Sequence, residues 1–302
     1  MMRGLRHIFS AIAAAAMAAL LAAPALAVTR DQIRTCESKE DVPADQRIES
    51  CSAIIDFAKS KPQQKALAYT NRGKAYRAKG NAEAAIRDFE RAIDLDHNNG
   101  EAFYNRGLAL RDRGESDRAL RDFEQAVAHD RSNSDALNIL SHIYYDRKDY
   151  ARAVDVLNQA IKLNPNFALA LFNRGMAFRA KGEPDRAIPD YDRAIKLNPN
   201  DAIAYHARGL AYRDIRDYER AIQDFDQAIK INPEFIVALN DRGIAYAAKG
   251  QVERAIQDFD QAILLDPRDA YAYNNRGLAY RNRGETDRAI KDYDQAVLLN
   301  PN

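Results

Sequence analysis

One stretch decides the fold: residues 236–269 read IVALNDRGIAYAAKGQVERAIQDFDQAILLDPRD. Laid over the rest of the sequence in steps of 34 residues, the same pattern recurs without an insertion or a deletion. One column, glycine in all copies but one, shows the register: Gly73, Gly107, Ser141, Gly175, Gly209, Gly243 and Gly277. A fixed period of this size is typical of a solenoid, in which each unit packs on its neighbours.

Within each copy the apolar and small residues fall on two helical stripes. Counted from Ile236, they occupy positions 3, 4, 8 and 11, and then positions 20, 21, 24, 27 and 28. Spacings of three, four and seven residues place side chains on one face of an α-helix. Lys249-Gly250 has the pattern of a helix end, and Asp266-Pro267 ends the second helix. The sequence therefore predicts two helices in each copy.

These columns resemble those of the tetratricopeptide repeat family: a large residue, a small one, an aromatic, then Ala, aromatic, Ala and Pro. One unit supplies them in full as Tyr205, Gly209, Tyr212, Ala221, Phe225, Ala228 and Pro233. Two departures occur, since Tyr, Phe or Leu replaces the usual Trp, and His97 and Arg131 replace the proline in the first two units. The resemblance implies an all-α, right-handed superhelical solenoid of antiparallel helix pairs.

The repeat register sets the domain boundaries that we expect. Residues 28–65 look like a degenerate repeat, because Cys51 and Ile55 stand 34 residues before Ala85 and Phe89. A repeat array needs end units that cover its core, so this segment is predicted to be an N-terminal helical cap. The seven full units are 66–99, 100–133, 134–167, 168–201, 202–235, 236–269 and 270–302.

The N-terminus has the pattern of a cleavable signal peptide. Arg3 and Arg6 give a basic start, residues 8–23 form an apolar run, and the small residues Ala-Leu-Ala precede the expected cleavage after Ala27. The alternative is a membrane anchor, for which this alanine-rich run is rather short. We expect residues 1–27 to be removed and the mature protein to be periplasmic or secreted, without stable membrane insertion.

The charge of the chain argues against nucleic acid as a partner. The sequence holds 45 basic and 44 acidic residues, and loss of Arg3 and Arg6 leaves 43 against 44. Proteins that bind nucleic acid neutralise phosphates with a basic surface. The evenly mixed charges of this chain offer no such surface.

The two cysteines, Cys36 and Cys51, both follow the expected cleavage point. Export would place them in an oxidising compartment, where a disulfide between them is predicted. Two cysteines without a nearby histidine are too few for a metal site. The remaining alternative is a pair of free buried thiols.

A second pair of columns is unusual, because six copies carry Arg where the family usually has Leu. The same six copies carry Asp sixteen residues later, and the pairs are Arg72/Asp88, Arg106/Asp122, Arg174/Asp190, Arg208/Asp224, Arg242/Asp258 and Arg276/Asp292. In the third copy both change together, to Leu140 and Val156. We predict a partly buried ion pair between the two helices of each repeat. The alternative is surface charge, with an acid such as Asp287 at the start of the second helix as a rival partner.

No catalytic residue, metal site or cofactor is predicted. The histidines His97, His129, His142 and His206 stand at unrelated columns and are interpreted as polar surface residues. The sequence lacks a Gly-rich phosphate loop, and the abundant carboxylates follow the repeat period, as solvated helix faces do. We therefore expect the chain not to be an enzyme.

The resemblance implies a concave groove lined by the first helices, which we expect to bind a protein or an extended peptide. Its apolar row would be Leu108, Met176, Leu210, Ile244 and Leu278. Its basic row would be Arg77, Arg111, Arg179, Arg213 and Arg281, which would clamp acidic groups. A broken amide ladder would be Asn71, Asn105, Asn173 and Asn275, which would pair with a peptide backbone. The alternative is that these columns pack between helices and are merely copied with the repeat.

Two further features concern the middle and the end of the array. The third copy is the most divergent, and local specificity is expected from Asn138, His142, Tyr145, Phe172 and His206. Pro189 inside a second helix predicts a kink or a local weakness there. After the last second helix no capping helix follows in this sequence, so an alternative function is a structural oligomer that assembles through the exposed C-terminal repeat.

Overall fold

A computed structural model describes residues 27–38 and 40–300. These ranges contain sixteen α-helices and no strand, and the chain is an all-α repeat solenoid. The helices are α1 Arg30–Glu37, α2 Ala44–Asp56, α3 Pro62–Ala78, α4 Ala82–Leu95, α5 Gly100–Asp112, α6 Ser116–His129, α7 Ser134–Asp146, α8 Tyr150–Leu163, α9 Ala168–Ala180, α10 Pro184–Leu197, α11 Ala202–Asp214, α12 Tyr218–Ile231, α13 Ile236–Ala248, α14 Val252–Leu265, α15 Ala270–Asn282 and α16 Thr286–Leu299. The expected signal peptide lies outside the described residues, apart from Ala27.

The chain divides into two compact units, with the boundary in the sequence between Ala136 and Leu137. Unit 1 holds α1–α6 and the start of α7, and unit 2 holds the rest of α7 and α8–α16. From α3 onward the odd-numbered helices are the first helices of the repeats and the even-numbered ones the second helices. Within each unit most second helices pack both on their own first helix and on the next one. None of the described helices is long and apolar enough to span a bilayer.

Helix α1 is fastened to the N-terminal end of the array. A disulfide joins Cys36 on α1 to Cys51 on α2. Both cysteines are fully buried and pack with Ile54, Ile55 and Ala68. The disulfide therefore lies inside the small core that α1, α2 and α3 share.

Close approach of the two helices explains the glycine column. A Cβ atom at Gly243 would lie 2.6 Å from a ring carbon of Phe259, which is too short for a real contact. The other five glycines of the column face the aromatic ring of their own second helix in the same way. In the third repeat Ser141 replaces the glycine and Leu157 replaces the ring. The two replacements form one coupled change, because removal of the ring makes room for the serine side chain.

The turn between the two helices of a repeat requires a left-handed residue. Five of these turns use glycine with φ between 74° and 81°, for example Gly250. The third and fifth repeats use Lys148 (φ 60°) and Arg216 (φ 62°) instead. The left-handed region is unfavourable for residues with a Cβ atom, so these two turns are strained.

The predicted Arg–Asp pair is confirmed in all six repeats that carry it. In each, Nε and Nη2 of the arginine donate to the two carboxylate oxygens of the aspartate sixteen residues later, at 2.6 to 2.9 Å. The aspartates are only 3 to 6% exposed, while the arginine side chains are 18 to 20% exposed. The surface-charge alternative and the rival acid at the helix start, Asp287, are therefore excluded.

The same guanidinium also reaches a third helix. Nη1 of Arg208 donates to Asp192 on the second helix of the preceding repeat at 2.6 Å. Arg174, Arg242 and Arg276 make the equivalent bonds to Asn158, Asp226 and Asp260. One side chain therefore links the two helices of its own repeat to the repeat before it.

Burial makes this ion pair sensitive to the loss of either partner. Desolvation raises the pKa of Asp258 above its ordinary value, although Arg242 donates two hydrogen bonds to it. An unpartnered charge at this site would remain desolvated without compensation. In the third repeat Leu140 and Val156 occupy the two positions and are both buried, so this repeat replaces the whole ion pair with apolar packing.

The irregular residue Pro189 does not break its helix. Helix α10 runs from Pro184 to Leu197 with Pro189 inside it and exposed. The prolyl ring removes one backbone donor, but the helix continues through this position.

We expect the substitution Asp258→Ala to lower the free energy of unfolding by about 3–5 kcal/mol, because the partly buried Arg242 would lose its two hydrogen bonds to Asp258 and keep only the bond to the more exposed Asp226. The double substitution Arg242→Leu with Asp258→Val copies the third repeat and should recover most of that loss. Urea unfolding followed by circular dichroism measures both values. As a control, Asp94→Ala breaks the exposed Arg91–Asp94 pair and should cost less than about 1 kcal/mol. A loss below about 0.5 kcal/mol for Asp258→Ala would contradict the structural role of the pair.

We expect Lys148→Gly and Arg216→Gly each to stabilise the fold by about 1 kcal/mol, since glycine relieves the left-handed strain. Thermal and urea unfolding of the two variants test this expectation. The control is Gln159→Gly at an exposed position within helix α8, where glycine should destabilise by about 1 kcal/mol. Destabilisation at the two turn positions would show that their side chains contribute more than the strain removes.

Candidate functional site

Several of the predicted groove residues line a single cleft in unit 2. The cleft has a volume of about 350 Å³ and opens between the first helices α7, α9 and α11. Its lining residues are Tyr145, Phe172, Met176, Arg179, Ala180, Tyr191, Ile203, His206, Ala207, Leu210 and Asp214. Six of these eleven belong to the predicted groove set: Tyr145, Phe172, Met176, Arg179, His206 and Leu210.

The walls of the cleft are mainly apolar and aromatic. The ring of Phe172 lies 5.8 Å from that of Tyr191, which comes from the second helix α10. Burial raises the pKa of the Tyr191 and Tyr145 hydroxyls, so both phenols stay neutral at physiological pH. A concave site of this size that combines apolar and aromatic side chains with a few polar groups is typical of ligand-binding pockets.

His206 is not the polar surface residue that the sequence predicts. The side chain is buried, and its Nε2 lies 2.7 Å from Oδ2 of Asp241 on the next first helix. The other oxygen of Asp241 accepts a hydrogen bond from Arg213. The imidazole also packs against the ring of Phe235, with the ring centroids 5.0 Å apart. The prediction failed because Asp241 stands at a column that is asparagine or apolar elsewhere, so no repeat pattern reveals the pair.

The basic row is less available than the sequence predicts. Arg77 pairs with Asp112 at 2.8 Å and Arg179 pairs with Asp214 at 2.6 Å, in each case with an acid of the next first helix. Arg213 is engaged by Asp241, whereas Arg111 and Arg281 are exposed. At three of the five positions an acid of the neighbouring repeat already pairs with the arginine, so a carboxylate of a partner would have to compete with that acid.

The predicted amide ladder lies mostly below the surface. Asn71, Asn105 and Asn173 are buried, and only Asn275 is partly exposed. Asn105 donates to the carbonyl of Glu101 in its own helix, at 2.8 Å. This column faces the neighbouring first helix, which is the packing alternative that the sequence leaves open.

The side-chain amide of Asn173 is bonded to side chains of the preceding first helix and is not left free for a peptide backbone. Its Nδ2 donates to Oδ1 of Asn138 on the preceding first helix at 2.8 Å, and lies 3.1 Å from Nε2 of His142. A polar contact thus joins the divergent third repeat to the fourth repeat.

The apolar row is exposed in unit 2 but not in unit 1. Leu108 is only 8% exposed and is therefore buried, contrary to the prediction. Met176, Leu210 and Ile244 are partly exposed, and Leu278 is exposed. The row therefore offers contact surface on α9, α11, α13 and α15.

A second, much smaller cavity adjoins the cleft. It has a volume of about 20 Å³, which is room for a single water molecule. Its lining residues are Ser141, His142, Tyr145, Ala153, Leu157, Asn173 and Met176. The cavity arises where Leu157 replaces the large ring of the other repeats, so the divergence of the third repeat reshapes this part of the surface.

One row of surface residues was missed by the sequence analysis. The second position of the first helix carries Leu169, Ile203, Val237 and Tyr271 in unit 2, and these are 46 to 60% exposed. Leu67 occupies the same position in unit 1. The available signal was an apolar column that lies outside the buried stripe at positions 3, 4, 8 and 11.

The fold defines a class of protein, an all-α array of repeated helix pairs. Models of the tetratricopeptide repeat match residues 104–168, 172–234, 225–257 and 270–302, and a model of the TPR repeat matches 73–111 and 243–282. The chain belongs to the tetratricopeptide repeat family. No group of three metal-ligating side chains occurs among the described residues.

Solved structures of several repeat proteins are similar to this chain. MamA is 26% identical with a TM-score of 0.50, over 53% of this chain and 94% of that one. YrrB, described as a TPR protein with an unusual peptide-binding site, is 24% identical with a TM-score of 0.54, over 61% and 95%. PilF of Pseudomonas aeruginosa is 20% identical with a TM-score of 0.54, over 74% and 98%. The last two likenesses indicate the fold alone. A search among curated proteins finds no match.

Proposed function

We propose that this protein is a non-catalytic interaction scaffold of the cell envelope, which binds an apolar segment of another protein on the first-helix face of unit 2. Membership of the tetratricopeptide repeat family supports a protein-interaction role. The observation that carries the proposal is the cleft of about 350 Å³, lined by Tyr145, Phe172, Met176 and Leu210. Pockets of this kind hold the buried anchor residue of a partner.

The charges of the cleft define the type of anchor that it accepts. Arg179 and Asp214, which line the cleft, neutralise each other, and His206 is engaged by Asp241. A charged anchor would lose its hydration without finding a free counter-ion. An aliphatic or aromatic side chain gains about 1.5–3 kcal/mol from burial of this kind. The anchor is therefore an uncharged, apolar side chain.

The cellular location is the second part of the proposal. The N-terminal sequence has the pattern of an export signal, and Cys36 and Cys51 form a disulfide. Disulfides persist in oxidising compartments such as the periplasm. Both observations favour an exported protein whose partner lies in the cell envelope.

The test starts with capture of partners from a periplasmic extract by residues 28–302, followed by titration of the purified partner in a calorimeter. We expect Met176→Glu with Leu210→Glu to weaken binding by at least about tenfold, since two charges would enter an apolar site. The matched control is Leu264→Glu on the second helix α14, which should leave the affinity unchanged because Leu264 is 72% exposed there. Equal binding by the cleft variant and the wild type would refute the proposed site.

A second candidate function is self-assembly through the last helix, and one observation favours it. Ile290 and Val297 on α16 are 51% and 63% exposed, whereas Ile256 and Ile195 at the same columns are 6% and 7% exposed. These side chains form an apolar patch of the type that pairs with another protein surface.

We expect self-assembly, if this patch drives it, to make the mass in solution rise with protein concentration. Ile290→Lys with Val297→Lys should abolish that rise, because charged side chains oppose burial. Sedimentation equilibrium of the wild type and the variant measures the effect. A wild-type mass that stays at one chain over the whole concentration range would eliminate this candidate.

A further inference from the structure

The binding face of unit 2 carries two parallel apolar rows. The second position of each first helix supplies Leu169, Ile203, Val237 and Tyr271, and the ninth position supplies Met176, Leu210, Ile244 and Leu278. Positions seven residues apart lie on the same side of a helix and about 10.5 Å apart along it. We call this surface of α9, α11, α13 and α15 the apolar ribbon. In unit 1 the rows are interrupted by an ion pair: Lys74 at the ninth position of the first repeat pairs with Glu101 at the second position of the second repeat.

The polar side chains between the two rows are already bonded to one another. Asn173 donates to Asn138, and His206 pairs with Asp241. One exposed amide, Asn274, lies in this strip among the described residues of unit 2.

Two atoms of the strip lack a partner, but they are not open to a ligand. Nδ2 of Asn240 donates to Asp269 at 2.8 Å, while its Oδ1 has no hydrogen-bond partner among the described residues. Nδ2 of Asn275 also has no hydrogen-bond partner among the described residues. Both unpartnered atoms are buried. The strip therefore presents almost no free donor or acceptor to a bound chain.

This absence of free polar groups decides the conformation of the partner. An extended segment on the ribbon would bury backbone N–H and C=O groups that need partners, and each unsatisfied group is costly. An α-helix satisfies its backbone groups internally and exposes only side chains. We propose, on the basis of the function proposed above, that the apolar ribbon binds an amphipathic α-helix of the partner protein rather than an extended peptide.

The charges at one edge of the ribbon complement such a helix. At the edge next to the second-position row lie the acids Asp201, Glu234 and Asp269, with Arg268 as the basic residue among them. At the other edge Arg179 and Arg213 are neutralised by Asp214 and Asp241, and Arg281 is exposed. A helix whose apolar stripe is flanked by basic residues on the side that faces the acids would match the first edge. Apolar residues of that helix would recur at spacings of three, four and seven.

The test is selection of binders from a phage-displayed library of random peptides, followed by synthesis of the dominant sequences. We expect apolar residues at helical spacing and a gain of helical circular dichroism when peptide and protein are mixed. A proline placed at the centre of the peptide should weaken binding, measured by fluorescence anisotropy, by more than about tenfold. Val237→Glu with Ile244→Glu, which removes both rows on α13, should have an effect of similar size, while Leu264→Glu should have none.

The outcomes separate this inference from the proposed function. Selected sequences with alternating or unpatterned apolar residues and no gain of helix would overturn the helical partner. If Met176→Glu with Leu210→Glu still abolished their binding, the scaffold function would stand. Binding that is indifferent to both pairs of substitutions, or a selection that enriches no sequence, would overturn the helical partner and the proposed site together.

Discussion

The structure depends on one buried interaction, the bidentate ion pair between the two helices of a repeat. Asp258 accepts two hydrogen bonds from Arg242, whose third nitrogen reaches Asp226 of the repeat before. Most surface ion pairs contribute little, because water competes for both partners. Here the carboxylate is buried, so water does not compete for it, and its two hydrogen bonds fix how the two helices lie against each other. The ion pair therefore helps to fix the orientation of the first helix relative to the second helix of its repeat.

The third repeat shows which parts of the unit change together. Leu140 and Val156 replace the ion pair, and Ser141 and Leu157 replace the glycine and the aromatic ring. In the first replacement apolar packing takes the place of the ion pair. In the second, a small cavity lies where the other repeats have an aromatic ring. Tyr145 of this repeat lines both the cleft and the small cavity. The repeat with the altered core therefore also contributes to the cleft.

The helix pairs and the Arg–Asp joint could be predicted from the sequence because both recur at a fixed spacing in many copies. The burial of Leu108 and the contact between His206 and Asp241 could not. These features occur once, and they depend on which side chain faces which across neighbouring repeats. The acids that neutralise Arg77 and Arg179 were present in the sequence as well, but their column is Ala or Asn in several other copies, so the pairing is not a constant feature of the repeat.

The third nitrogen of the guanidinium has a consequence for how such an array changes length during evolution. Arg208, Arg242 and Arg276 each bond an acid sixteen residues earlier and another sixteen residues later. Each of these three copies thus carries one part of the connection to its predecessor. Duplication or deletion of one whole unit among them would preserve these joints, whereas a change of length inside a helix between an arginine and one of its acids would shift the bonded partners apart. The 34-residue register of this sequence keeps those spacings without a gap.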